Sequence, residues 1–393
     1  MNPNGGDPST AVRDELSLVR GGPFYRLQRS VGLIHPDRWN LARRIAVLLV
    51  IGLLPVIVIT AISNPSGLRS LLTDYRVYSR MLLAIPALVF GEILMETRFR
   101  TVLRHIREVG LLDSADSEYM AGVIAALVRV RDAYIPELAV LVLLIVHTAT
   151  SYQGLIDATP WLAHRVGAEL QLTTAGMYTI IVTAPLFQFL LGLAFWKWLL
   201  WTYFVFKLSR QRLRLVATHP DEHGGLGFLG LTASAFAPTA FAASCVIGAT
   251  WREEMLHHGA RLMDFKFPAL ALVGIVALVA LGPLLFFVPR LAALRRKGIL
   301  EYGILAQIHS TEFHDKWILH RAGHESEFLG APESSALANF GNCYEKIEQM
   351  KPFPADRGSL YTLAAAVAIP ALPVILTQIP VAVVLMDLFK ALR

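Results

Sequence analysis

Charge is scarce in this chain, and cysteine is scarcer. Of 393 residues only 17% are charged, against about 25% in a soluble globular domain. The shortfall comes from long uncharged apolar runs, which excludes a water-soluble fold and implies a chain that crosses a bilayer. The two cysteines, Cys245 and Cys343, are too few for a cysteine-built zinc site. One falls inside an apolar run and the other in a basic loop. They are therefore expected in different compartments, and no disulfide is expected between them. The formal net charge of +6 does not point to nucleic acid, because the cations cluster beside the apolar runs, where they set orientation.

The chain is organised around residues 177–230, whose first part, 177–206, is a run of about thirty residues with one charge, Lys197; a bilayer-spanning helix needs roughly 20. The last third of that run carries Phe195, Trp196, Trp198, Trp201, Tyr203, Phe204 and Phe206, and then come Lys207, Arg210, Arg212 and Arg214. Aromatics followed by cations mark a helix leaving the membrane on the cytoplasmic side. The same logic along the chain predicts an all-α polytopic transmembrane bundle with seven spans: 45–63, 79–95, 133–151, 177–206, 231–250, 267–289 and one within 361–385. The first run is too long, and its leader too long, for a cleaved signal peptide.

Residues 1–44 form a cytoplasmic N-terminal segment, and its first 14, rich in Gly, Pro, Asn and Ser, read as disordered. Loops after spans 2, 4 and 6 are basic, whereas those after 1, 3 and 5 are not. This puts the N-terminus in the cytoplasm of a bacterial inner membrane and the C-terminus outside. Pro370, Pro373 and Pro380 leave a re-entrant hairpin as the alternative for residues 361–393. Span 2 continues into an amphipathic helix through Val102, Leu103, Ile106 and Val109, ended by Gly110. Asp113 or Ser114 caps the next helix, which completes the cytoplasmic stretch 97–131 and runs on into span 3. Residues 290–360 form a second cytoplasmic helical region, with Leu337, Phe340, Tyr344 and Ile347 on one helix face. Span 5, rich in alanine and serine, is expected at the centre of the bundle.

Charges inside spans are costly and therefore mark candidate sites. Glu92 and Glu137 are expected about 7 Å, and Lys197 about 13 Å, inside the cytoplasmic boundary, where they could meet as a wet ion-binding vestibule or as one structural salt bridge. Gly225-x-Gly227-x-x-Gly230 matches the dinucleotide fingerprint in letters, but it follows a membrane-exit helix instead of a strand. What it retains is free N–H groups near Arg210 and Arg212, able to hold a lipid phosphate or an anionic solute; otherwise it is a tight turn. His219/His223 and His320/His324 both read H-x-x-x-H, the spacing that on a helix puts two imidazoles on one face. That resembles the histidine boxes of membrane di-iron oxidoreductases in part only, because the adjacent His-His pairs of that class are missing on the cytoplasmic side. No cofactor is implied.

The stretches 218–230 (THPDEHGGLGFLG) and 337–354 (LANFGNCYEKIEQMKPFP), with the proline-rich span after them, resemble a family of bacterial polytopic inner-membrane proteins. The resemblance implies membrane class and bacterial origin and carries no activity. Three function classes remain: a channel or transporter for a small ion or anion, a membrane scaffold or sensor recruiting a partner through cytoplasmic helices, and a di-metal membrane oxidoreductase. Expected partners are membrane lipid, anionic lipid in particular, and a second copy of the chain.

Overall fold

The computed structural model describes residues 17–35, 38–155, 160–166, 169–319 and 332–375. The expected disordered leader 1–14, the second half of the last span and the C-terminal tail lie outside the described residues. Among the described residues the fold is almost wholly helical. Helix α1 covers Pro23–Ser30, α2 Leu41–Gly52, α3 Leu54–Ser63 and α4 Pro65–Thr73. Helix α5 is Tyr75–Glu108, α6 Ser114–Asp132 and α7 Tyr134–Leu155. A β-hairpin, β1 Ala163–Val166 with β2 Glu169–Leu172, precedes α8, Thr174–Ser209. Then come α9 Gly227–His257, α10 Lys266–Leu281, α11 Val288–His314, α12 Pro332–Glu348 and α13 Arg357–Ile375.

Six helical stretches are long and apolar enough to cross a membrane: Leu41–Ser63, Tyr75–Glu108, Thr174–Ser209, Gly227–His257, Leu262–Leu319 and Arg357–Ile375. The one expected span without such a stretch, 133–151, corresponds to α7, whose apolar part Tyr134–Thr148 is shorter. The connections sort to two ends. At the basic end Leu112 bridges Leu213, Arg212 N donates to Asp116 at 3.0 Å, and Arg290 donates to the Gln211 carbonyl. At the other end Asn64 Nδ2 donates to the Pro160 carbonyl at 2.7 Å, and Trp161 Nε1 to Asp74 at 3.1 Å. Helix α7 joins one end to the other. Stretch Gly227–His257 is the most buried, 61% of its apolar window against 22–44% for the other five. It therefore sits centrally, because alanine and serine let neighbouring backbones close in.

Prolines shape the helices in a repeated way. A proline has no N–H for the carbonyl four residues before it, so that carbonyl needs another donor. Pro55 breaks the first span at Leu53 into α2 and α3, and the freed Ile51 carbonyl accepts from Tyr178 Oη at 2.7 Å. Pro86 and Pro185 each follow a wide π-helical turn, Ser79–Ala84 and Thr179–Thr183. From these turns Ser79 Oγ reaches the Cys245 carbonyl and Thr183 Oγ1 the Gly52 carbonyl, both at 2.8 Å.

Pro136 explains a correction. Helix α6 does not run on into the next span. The chain breaks at Ala133 (ψ 150°) and α7 starts afresh at Tyr134, placing Pro136 in a first turn where its missing N–H costs nothing. The Asp132 carbonyl thus released accepts from Arg26 Nη2 at 3.0 Å. The hairpin β1–β2 is a second departure, since residues 152–175 read as a plain loop. Two buried clusters hold the bundle together. One, near the basic end, is built on Phe99, Trp201, Phe204, Phe236 and Phe287; the other, towards the opposite end, on Leu71, Met81, Ile85, Trp161 and Phe187. Phe99 and Trp201 lie face to face, centroids 4.2 Å apart.

Candidate functional site

Glu92 on α5 holds two cations at once, Arg44 of α2 and Lys197 of α8. Arg44 is 1% exposed, and its Nε also donates to Gln28 Oε1 at 2.7 Å. Beside the trio is a cavity of about 20 Å³ lined by Phe24, Met95, Leu193 and the Glu92 and Lys197 side chains, about the space one water needs. Of the three expected partners, Glu92 and Lys197 do meet. Glu137 goes elsewhere: its Oε2 accepts the Phe24 N–H at 2.7 Å. The third member of the cluster is Arg44, the last residue of the polar N-terminal segment, which charge inside a span does not single out.

Glu137 belongs to a second set of contacts, made by residues 17–30. Ser17 Oγ donates to Glu96 at 2.5 Å, and the Arg20 guanidinium lies 3.6 Å from the same carboxylate. Arg131 Nη1 donates to the Ser17 carbonyl. The Gly22 N–H donates to Asp132 Oδ1 at 2.9 Å. Gly22 has φ 89°, and a Cβ there would lie 2.4 Å from Glu137 Oε1, so only glycine fits this bend. Burial opposes ionisation of Asp132, but hydrogen bonding and charge from Arg131 and the Gly22 N–H prevail, and its carboxyl stays below the ordinary range. Glu96 is buried under this segment at 3% exposure. Glu92, Glu96, Asp132 and Glu137 are thus already engaged, by neighbouring helices or by the N-terminal segment.

The glycine-rich loop carries its own anion. The Asp221 carboxylate accepts the N–H groups of His223 at 2.8 Å, Gly225 at 3.1 Å and Gly227 at 2.8 Å, with His219 Nδ1 2.8 Å away. Burial pushes the Asp221 carboxyl up, yet these donors outweigh it and hold the group below the usual range. The N–H groups that the motif offered to a phosphate are therefore turned inward. Gly224 and Gly225 have positive φ, 65° and 94°, whereas Gly227 is constrained by space: a Cβ would lie 3.1 Å from Asp221 Oδ2. Arg210 rests over the Phe206 ring at 5.1 Å. The Arg212 side chain is exposed, and its backbone binds Asp116. The structure does not bring Arg210 or Arg212 into the loop. Asp221 was legible only through turn chemistry, as an Asp two residues before the His223 N–H that it caps.

This loop docks on the second motif. Lys351 N donates to the Glu222 carbonyl at 2.8 Å, Ser359 Oγ to the Gly230 carbonyl at 3.0 Å, and Gly224 lies against Leu291, Leu294 and Met350. His219 and His223 sit in the loop and not on a helix, so their spacing does not align two imidazoles. His320 and His324 lie outside the described residues. Among the described residues no group of three His, Cys, Asp or Glu side chains could hold a metal ion. Compared with protein families, with curated proteins and with solved structures, the chain matches none.

Proposed function

We propose that this chain is a seven-span protein of the bacterial inner membrane, N-terminus in the cytoplasm, whose work is to present a cytoplasmic helical platform to a protein partner. The observation that carries this reading is the apolar stripe on α11. Leu300, Ile304 and Ile308 recur every four residues, one helical face, and are 69%, 66% and 49% exposed. Past the membrane-exit cations Arg290, Arg295 and Arg296 such a row stands in water, where a large apolar surface marks an interaction site. The opposite side of α11 is anchored. Gly298 lies against Ala217 and Ile347, and Tyr302 stacks on Phe340 at 6.2 Å. The stripe 337, 340, 344, 347 of α12 is thus spent on α11, and 300, 304 and 308 are left over. The other cytoplasmic stretch, 97–131, packs into the bundle and offers less.

The test is a photo-crosslinking residue placed at 304 in cells. The expected result is one discrete adduct, lost with Leu300→Glu and absent when the probe sits at the exposed Glu301 position. Mass spectrometry of the adduct separates a second copy of the chain from another protein. No adduct at 304 or 308 overturns the reading.

A transport reading has one specific observation in its favour, the buried Glu92–Arg44–Lys197 trio with its small cavity. It requires that cavity to open into a path. Ion or anion flux in proteoliposomes that is abolished by Glu92→Gln in a folded protein would favour it over the platform.

A further inference from the structure

We propose that the groove between α6 and α8 is a binding site for an anionic glycerophospholipid. The groove holds about 880 Å³ and is lined by Gly122, Val123 and Ala126 on one side and by Trp196, Leu199 and Tyr203 on the other, among others. Its walls are almost wholly apolar along their length and cationic at one end. There Lys207 lines the mouth, 5.3 Å from the Tyr203 ring centroid, and Arg210 follows one turn later over Phe206. Glu118 faces the neighbouring cleft on the other side of α6, so no carboxylate lines this groove to oppose an anion.

The occupant follows from that polarity. An apolar trough closed by the Lys207 ammonium, with the Arg210 guanidinium over the wall residue Phe206, fits a molecule with acyl chains below and a phosphate above. The groove also runs along the aromatic end of α8, where tryptophan and tyrosine mark the headgroup level of a bilayer. Two wall residues hold unmade hydrogen bonds just behind its surface. Trp196 Nε1 and Thr202 Oγ1 are covered and have no partner among the described residues. Thr202 is five residues, and Trp196 eleven, from Lys207, about 8 and 17 Å along a helix. Ester carbonyls beneath a phosphate held at Lys207 would therefore fall near Thr202, with the chains continuing past Trp196. Gly122 makes the trough: a Cβ built there meets nothing within 4 Å.

This inference is independent of the platform reading, and its test uses the delipidated full chain in detergent. Binding of phosphatidylglycerol, phosphatidylcholine and soluble glycerol phosphate is measured by native mass spectrometry. Wild type is expected to bind phosphatidylglycerol at least ten-fold more tightly than phosphatidylcholine and not to retain glycerol phosphate. Gly122→Phe fills the trough and should lose both lipids, while Gly122→Ala keeps them. Lys207→Gln should shrink the preference for phosphatidylglycerol to less than three-fold. Unchanged lipid binding by folded Gly122→Phe, or retention of glycerol phosphate alone, overturns the proposal. If Gly122→Phe does not fold, a photoreactive phosphatidylglycerol on wild type decides: adducts within 119–130 or 196–207 support the site, and adducts confined elsewhere reject it.

Discussion

Glu222 and Lys351 are joined twice: Lys351 Nζ lies 2.6 Å from Glu222 Oε2, and the Lys351 backbone N–H donates to the Glu222 carbonyl at 2.8 Å. The first bond is between exposed side chains and is screened by salt. The second is fixed by the backbone, and Glu222 adopts φ 58° to make it. The backbone bond should therefore matter more. Lys351→Gln is expected to leave thermal stability within error at high salt. Glu222→Gly, which loses the ion pair but suits a positive φ, should be neutral or better. Lys351→Pro, which removes the N–H, should cost about 1 kcal/mol or more. Melting curves in detergent at two ionic strengths check all three.

Asp221 makes a pH prediction with a definite sign. Its carboxyl is held below its ordinary value, against burial, by the N–H groups of Gly227, His223 and Gly225. A carboxylate of depressed pKa adds stability that is present above the unfolded value, about 4, and is lost as pH falls through the folded one. Wild type should therefore lose stability below about pH 4, and Asp221→Asn should lack this part of the acid dependence. At neutral pH the variant should be less stable by about 1–3 kcal/mol, because donors are left short of an acceptor. Thermal melts of both proteins between pH 3 and 7 make the comparison.

Removing the carboxylate of the trio should hurt more than removing one cation. Glu92→Gln leaves Arg44 and Lys197 facing each other without a counter-charge, an expected loss of about 3–5 kcal/mol. Lys197→Met keeps a one-to-one pair with Arg44 and should cost clearly less. Equal losses in chemical denaturation would mean that Glu92 is not the common partner.

Labelling tests the orientation of the two ends. A cysteine at the exposed Ser66 should react with an impermeant reagent on intact cells, and one at the exposed Ser114 only after permeabilisation. Ser209, the obvious choice from sequence, is a poor probe because it is 5% exposed. Reaction at Ser114 on intact cells would reverse the orientation proposed above.

Most of the helical frame was legible because hydropathy and cation placement are properties of single segments. The end of α5 before Gly110, the start of α6 at Ser114 and the burial of the alanine-rich α9 follow from that information. The misses came where two distant segments share a requirement. The break at Ala133 depends on which donor satisfies the carbonyl that Pro136 releases, and that donor is Arg26. Glu137 pairs with a backbone N–H supplied by a sharp bend at Gly22, which no periodicity announces. In the glycine loop the letters showed donors, but not that an aspartate four residues before Gly225 and six before Gly227 would take them.

The stitching of residues 17–30 onto α5, α6 and α7 imposes an order on biosynthesis. Ser17 leaves the ribosome about 120 residues before Glu137, roughly 6–24 s at ordinary elongation rates. Arg20 waits about two thirds of that interval for the Glu96 carboxylate, and Arg26 nearly all of it for the Asp132 carbonyl. On the orientation proposed above, they are also on the side of the membrane where cations hold a nascent leader back during insertion. On that orientation the same arginines serve twice in time: first as cations that orient the first hairpin, and afterwards, once α7 is in place, as the clasp that closes the basic end over it.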